Sequence, residues 1–241
     1  MKSFWQGLVI AATLCAVWGC TTEEQAKPSG GETASSGTAP EKPLPTLAEL
    51  PDKFKNDAYE FYGLSNANAT PMEMSRDATG APSTGTQTAK LIEIKDDEAI
   101  FQISRTGQLS VLGSQEVALR EDGIYTISSS LGRIEANTLE MPAKLEVGTT
   151  WKTRNFLDQA DRQRMEYDAE YKVVGDEKIT VKAGSFQCLR IESSGPVKIN
   201  DQDYTMRTTS WYSRGFGPVL LEVVTKDKDG KETKVRIEAT Q

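Results

Sequence analysis

The feature that most constrains this chain is an alternation of apolar and polar residues that recurs along most of its length. Alternation over four to eight residues is typical of strands with one buried face, and it predicts about eleven short strands here. Acidic or glycine-containing segments such as 96–98, 121–123 and 227–230 separate the runs, as hairpin turns do. The chain is therefore expected to fold mainly as β-sheet.

The strand pattern also predicts how the sheet is arranged. No helical pattern of ten to fifteen residues lies between the runs, which argues against parallel βαβ units. We expect residues 47–241 to form one large antiparallel sheet curled into an open half-barrel, with a β-sandwich as the alternative. Within it we predict a helical turn at 47–56, a strand at 58–63, a loop at 72–87 and a turn at 175–177.

The N-terminus has the layout of a secretory leader. Lys2 supplies a positive charge, and an apolar stretch too short to span a bilayer follows it. Val17-Trp18-Gly19-Cys20 resembles the lipobox of bacterial lipoproteins, although a small residue is usual where Trp18 stands. The resemblance implies that residues 1–19 are removed and that Cys20 carries a diacylglyceryl thioether and an N-acyl group. The alternative is an ordinary secretory peptide with a chance cysteine.

Residues 20–46 are predicted to be the lipidated cysteine and a disordered tether. Pro, Gly, Ser, Thr and Glu dominate this segment, so it cannot bury enough apolar surface to fold. A flexible segment of this length spans roughly 25–30 Å, which lets the domain move above the membrane. Thr21 rather than Asp follows the cysteine, and by resemblance to Gram-negative sorting this implies the outer membrane, facing the periplasm.

Charge and cysteine content limit the partners. The formal net charge is −7 and no basic stripe is evident, which argues against nucleic acid as a partner. Of the three cysteines, one lies in the predicted leader and one is the predicted lipid site, so no disulfide within the domain is expected. Cys188 lies in an alternating run and is predicted to be a core residue, with a reactive thiol as the alternative.

Three motifs carry a resemblance to a known group of proteins. They are LEVGTTW at residues 145–151, AGSFQCLRI at 183–191 and WYSRGFGPV at 211–219. Together they are similar to motifs of poorly characterised bacterial envelope proteins that look like relatives of the LolA/LolB-type half-barrel. The resemblance covers roughly residues 54–240 and implies a curved sheet whose concave face holds an acyl chain. It supplies no catalytic residues.

Candidate catalytic and metal-binding residues are few. The chain has no histidine, which excludes Ser-His-Asp and Cys-His catalysis and histidine metal sites. Residues 227–230 (DKDG) resemble the middle of a calcium loop, but the flanking ligand positions do not fit, so we interpret them as a charged turn. Residues 96–98 are likewise interpreted as a solvated turn. We therefore predict no enzyme activity, no cofactor and no metal.

The aromatic residues of the motifs are the candidate ligand-binding residues: Trp151, Trp211, Tyr212 and Phe216. The alternative for all four is core packing, and the segment 211–219 is expected to be a structural corner that reverses around Gly215 and Gly217. The prediction is a membrane-anchored envelope lipoprotein that binds a hydrophobic ligand or lipid. The alternative is an interaction module that docks an envelope protein partner, and an enzyme is a third hypothesis.

Overall fold

The computed structural model describes residues 43–77, 81–159 and 164–241. These residues form one antiparallel sheet of 13 strands. The strands are β1 Thr70–Arg76, β2 Ser83–Ile94, β3 Ala99–Arg105, β4 Gln115–Arg120, β5 Gly123–Ser129, β6 Gly132–Ile134, β7 Thr138–Pro142, β8 Thr150–Gln159, β9 Arg164–Val181, β10 Gly184–Ile199, β11 Gln202–Ser213, β12 Gly217–Asp227 and β13 Glu232–Ala239. The predicted leader, Cys20 and residues 21–42 of the predicted tether lie outside the described residues.

The strand order explains why the sheet must curl. Across the sheet the order is β6-β8-β9-β10-β11-β12-β13-β1-β2-β3-β4-β5-β7, so β6 and β7 lie at opposite edges. Only residues 135–137 join these two strands in the chain. From residue 134 to residue 138 the chain reaches at most about 14 Å. The two edges are therefore held close together, and the predicted open, curled antiparallel sheet is confirmed.

Two predicted irregular segments are instead parts of long strands. Most of the expected loop at 72–87 lies in β1 and β2, because β1 pairs with β13 on one side and with β2 on the other. The expected turn at 175–177 lies inside β9, which pairs along nearly its whole length with β10. The ladder absorbs one extra residue there, as a shift in register after Arg190.

The predicted strand at 58–63 is wrong, because residues Asp57–Phe61 form a short helix, α1. The side chain of Asn56 accepts a hydrogen bond from the Tyr59 backbone N–H (3.1 Å), which caps the first turn. Gly63 follows with a positive φ of 83°, a common helix stop. Two 3-10 helices, Leu47–Glu49 and Asp52–Phe54, match the helical turn expected before it. Among the described residues, no helix is long and apolar enough to cross a membrane.

The concave side of the sheet holds two hydrophobic clusters. The first cluster forms where α1 and the segment before it pack on the sheet, with Phe54 and Leu64 fully buried against Phe101 and Leu119. The second cluster contains Leu109 and Leu112 from a 3-10 helix at Gly107–Leu112, packed against β10 to β13 and β1. A small third cluster around Cys188 and Leu220 includes Trp211 and Phe216 among its half-buried members.

Candidate functional site

A cavity of about 110 Å³ lies where the two concave clusters meet. Both clusters contribute to its wall, which is mostly apolar: Met72, Ile103, Leu109, Leu112, Met141, Ile191, Met206, Leu220, Leu221 and Ile237. A cavity of this size holds several water molecules or a short apolar fragment. Sites for whole drug-sized ligands are larger, about 300–1,000 Å³. The three methionines make the wall adaptable.

A row of side chains across the concave face forms one side of the cavity. Directly opposite residues on antiparallel strands share a face, and the register places Trp151 opposite Tyr171, Tyr171 opposite Ser193, and Ser193 opposite Thr208. The rings of Trp151 and Tyr171 stack with their centroids 5.1 Å apart and a 10° angle between planes. Alternation thus places two stacked aromatic rings in the cavity wall.

Side chains from β8 bridge the two edges of the sheet. Trp151 Nε1 donates to the backbone carbonyl of Glu140 (3.1 Å), and Thr153 Oγ1 donates to that of Leu139 (2.6 Å). Asn155 accepts from the Glu135 N–H at 2.9 Å and donates to its carbonyl at 3.3 Å. The three β8 residues are buried and alternate along the strand. Together they tie β8 to β7 and to the segment before it.

Glu140 is the acidic residue that this arrangement places in the cavity wall. In the β5–β7 ladder Ile124 pairs with Met141 and Tyr125 pairs with Leu139, so Glu140 is the extra residue of a bulge. Bulges redirect side chains, and this one lies beside the site. Thr126 Oγ1 donates to Glu140 Oε1 at 2.6 Å. Burial raises the pKa of the Glu140 carboxyl above its ordinary value, and the Thr126 hydrogen bond opposes that rise.

Four tyrosines lie near enough to Glu140 for its charge to affect them. Burial raises the pKa of Tyr62, Tyr167 and Tyr171, and the charge of Glu140 raises each of them further. The same two causes raise the pKa of Tyr212 to about 12. All four tyrosines therefore stay neutral at physiological pH and present hydroxyl groups. The Tyr62 hydroxyl accepts a hydrogen bond from Gln115 Nε2 at 2.9 Å.

Arg105 is the cation in the cavity wall, and it is engaged by other groups. Its Nε donates to Gln87 Oε1 and its Nη1 donates to the backbone carbonyl of Gly113, both at 3.0 Å. The guanidinium therefore joins β3 to β2 and to the end of the 3-10 helix at Gly107–Leu112. This anchoring role explains a half-buried arginine beside an apolar space.

The corner at residues 211–219 closes one end of the concave face by holding α1. Arg214 forms an ion pair with Asp57 (2.6 Å), and its guanidinium lies 4.6 Å from the centre of the Phe61 ring. Gly215 and Gly217 have positive φ values of 71° and 97°, as the expected reversal requires. A Cβ atom on Gly217 would lie 2.9 Å from the Cα of Gly63, so the two backbone segments are in direct contact. The predicted structural corner is confirmed.

The structure separates the four candidate aromatic residues into two pairs. Trp151 and Tyr212 line the cavity. Trp211 lies on the opposite face of β11 from Tyr212, and its Nε1 donates to Glu177 Oε1 at 2.7 Å. Phe216 packs against Phe186 at the corner, with ring centroids 4.7 Å apart. Trp211 and Phe216 thus lie outside the wall of the main cavity.

Sequence reasoning missed Glu140, Tyr62, Tyr171 and Arg105. The available signal for Glu140 was its position between Leu139 and Met141, because a charged residue between apolar ones is costly to bury unless it has a specific role. Tyr62 and Arg105 come from separate elements that only the fold brings together.

The remaining candidate chemistry is structural. Cys188 is buried, and burial together with Asp176 and Glu177 raises the pKa of its thiol to about 11, so the predicted core role is confirmed. In the 227–230 turn, Asp227 Oδ1 accepts hydrogen bonds from two backbone N–H groups, Asp229 and Lys231. Across the described ranges, no group of three or more acidic or cysteine side chains could hold a metal ion.

Comparisons with known structures agree with the fold. A crystal structure of a predicted lipoprotein from Parabacteroides distasonis is similar, with 13% identity, a TM-score of 0.56, and coverage of 76% of this chain and 97% of that one. A predicted exported protein with a YmcC-like fold from Bacteroides fragilis gives 10% identity, a TM-score of 0.48, and coverage of 76% of this chain and 98% of that one. YmcC, a hypothetical lipoprotein from Escherichia coli, gives 10% identity, a TM-score of 0.35, and coverage of 77% of this chain and 90% of that one.

Sequence comparison identifies the family. No curated protein sequence matches the chain. The expected likeness to LolA and LolB is not specifically shown by these comparisons and stays a prediction. The family model described as DUF3108-like matches residues 93–233, which is more than half of the chain and includes Arg105, Glu140, Trp151, Tyr171 and Tyr212. This protein therefore belongs to the DUF3108-like family.

Proposed function

We propose that this protein is a lipid-anchored lipoprotein of the cell envelope that binds a small hydrophobic ligand, or one end of a larger lipid, on the concave face of its sheet. The observation that carries the proposal is the apolar cavity between the two core clusters, with its few inward polar groups. Ligand sites in proteins have this make-up of apolar walls and sparse, convergent polar groups. The lipid on Cys20 would anchor the protein to the membrane, and the Cys20→Ser variant tests this anchor separately.

Two features support a ligand over a simple packing defect. The wall includes Met72, Met141 and Met206, whose flexible side chains adapt to a guest. The cavity also exposes a carboxylate and three tyrosine hydroxyls, whereas empty cavities in stable cores are lined by apolar groups. The similar Parabacteroides protein is a predicted lipoprotein, which agrees with an envelope location.

The experiment compares compounds that co-purify with the full chain and with two variants. Thr208 lines the cavity and Thr209, the next residue, points to the other face of β11, so Thr208→Phe fills the cavity and Thr209→Phe is its matched control. Organic extracts of the three proteins are compared by mass spectrometry. We expect a compound enriched with the parent and with Thr209→Phe but lost from Thr208→Phe.

Identical extracts from all three proteins would contradict ligand binding in this cavity. Docking of an envelope protein partner is the alternative function. Within the described residues only three large apolar side chains are exposed, namely Leu44, Val111 and Val147. Because docking surfaces gather such residues in one patch, we rank this alternative second.

A further inference from the structure

We infer that the ligand of this cavity carries a protonated amine, whose charge is met by Glu140 while its apolar part lies against the methionine and leucine side chains. This inference rests on the proposed function and specifies the chemical class of the ligand. It starts from an electrostatic mismatch, because a carboxylate in an apolar wall is costly unless something pairs with it.

Position is the first argument. Glu140 lies at a bulge, on a strand at the edge of the sheet, where an uncharged residue would satisfy the ladder equally well. Trp151 fixes its backbone carbonyl and Thr126 fixes one carboxylate oxygen. A carboxylate accepts about four hydrogen bonds, so Thr126 uses only a part of its capacity. The side chain is therefore held at the cavity surface with an unused capacity for hydrogen bonds.

The aromatic surroundings are the second argument. Trp151 and Tyr171 present stacked rings to the cavity, and Tyr62 and Tyr212 contribute two more. Ring faces attract cations within about 6 Å, and sites that recognise ammonium groups combine such rings with a carboxylate. The neutral tyrosine hydroxyls can also accept hydrogen bonds from an ammonium group.

Arg105 is the residue of the cavity wall that would favour an anionic ligand, but its contacts argue against one. An anionic ligand such as a fatty carboxylate would need donors directed into the cavity. The Arg105 guanidinium is tied to the sheet instead, because two of its five N–H donors bond Gln87 and the Gly113 carbonyl. Glu140, by contrast, shares the cavity wall with the aromatic rings. Burial raises the pKa of its carboxyl, and a cation beside it would oppose that rise. Charge complementarity thus favours an amine.

The test uses three water-soluble probes of similar length: hexylammonium, hexanol and hexanoate. They are titrated into the full chain, purified in digitonin, at pH 7.5 by ligand-observed NMR, with empty micelles as the blank. We expect hexylammonium to bind roughly tenfold more tightly than hexanol, as charge-assisted hydrogen bonds are the stronger kind. Hexanoate should bind most weakly.

Two variants complete the design. Glu140→Gln keeps the shape and the Thr126 contact, and it should abolish the preference for hexylammonium while hexanol binds as before. Glu146→Gln removes an exposed carboxylate instead and should keep the preference. Thermal unfolding confirms that each variant is folded.

The outcomes separate this inference from the proposed function. If hexanol or hexanoate binds the parent as tightly as hexylammonium does, or if Glu140→Gln keeps the preference, the amine inference is overturned while ligand binding stands. If none of the three probes binds the parent, the proposed function fails and the inference fails with it.

Discussion

Trp151 Nε1 donates a hydrogen bond to the backbone carbonyl of Glu140. Trp151 lies on β8, next to the edge strand β6, and Glu140 lies on β7, the strand at the opposite edge of the sheet. The same indole ring stacks on Tyr171 and lines the cavity. One side chain therefore holds the curled sheet together and also fixes the bulge that carries the carboxylate. Changes at Trp151 should affect stability and binding together.

Trp151→Phe keeps a ring for the Tyr171 stack and removes the N–H donor. We expect a loss of about 1–3 kcal/mol of unfolding free energy, because the Glu140 carbonyl loses its partner and the smaller ring leaves space. Trp211→Phe is the control, since its N–H bonds a partly exposed Glu177 on the other face, and it should lose about 0.5–1 kcal/mol. Equal losses in urea unfolding would contradict a special role for the Trp151 bond.

Glu140→Gln should stabilise the protein at neutral pH. Burial raises the pKa of Glu140 in the folded state, so folding becomes less favourable as pH rises from the unfolded pKa to the folded one. The amide carries no charge and avoids this penalty. The gain should vanish below about pH 4, where the carboxyl is protonated in both states. Melting temperatures at pH 4 and pH 7.5 test the sign, and a less stable variant at pH 7.5 would contradict it.

Gly217→Ala should destabilise the corner strongly. Its φ is 97°, and the added Cβ would lie 2.9 Å from the Cα of Gly63, so backbone must move. Gly184→Ala is the matched control, because Gly184 also has a positive φ (133°) but open space around it. The control should lose about 1–2 kcal/mol from backbone strain alone, and Gly217→Ala clearly more. Similar denaturant midpoints for the two variants would show that the close approach is unimportant.

Cys188 should resist thiol reagents in the folded protein. The side chain is buried, and its raised pKa of about 11 leaves little thiolate at pH 8. Mass spectrometry after treatment with iodoacetamide should therefore find Cys188 unmodified in buffer and fully modified in 6 M guanidinium (roughly the level that unfolds even very stable domains). Rapid modification in buffer would indicate that the strand opens readily.

Cys20→Ser tests the anchor. The variant should lose its lipid and leave the membrane fraction, because the attached acyl chains supply the membrane affinity. Cys188→Ser serves as the control and should stay with the membranes. A Cys20→Ser protein that still sediments with membranes after a high-salt wash would contradict the lipoprotein prediction.

The alternation of residues was enough to predict the sheet and several of its details. It placed Trp211 and Tyr212 on opposite faces, located the turns at 96–98 and 227–230, and assigned the reversal to Gly215 and Gly217. These properties depend on local geometry, since side chains alternate in every strand and only certain residues adopt a positive φ.

Only the tertiary structure decided the rest, because it depends on partners distant in the chain. Residues 72–76 and 83–87 form strands because β1 pairs with both β13 and β2. Residues 57–61 form a helix because Ala58, Tyr59 and Phe61 pack into the first cluster. The cavity exists because the three-residue link between β6 and β7 brings two sheet edges together. That meeting turns Glu140 from one acidic residue among thirty-five into the acidic residue of the cavity wall.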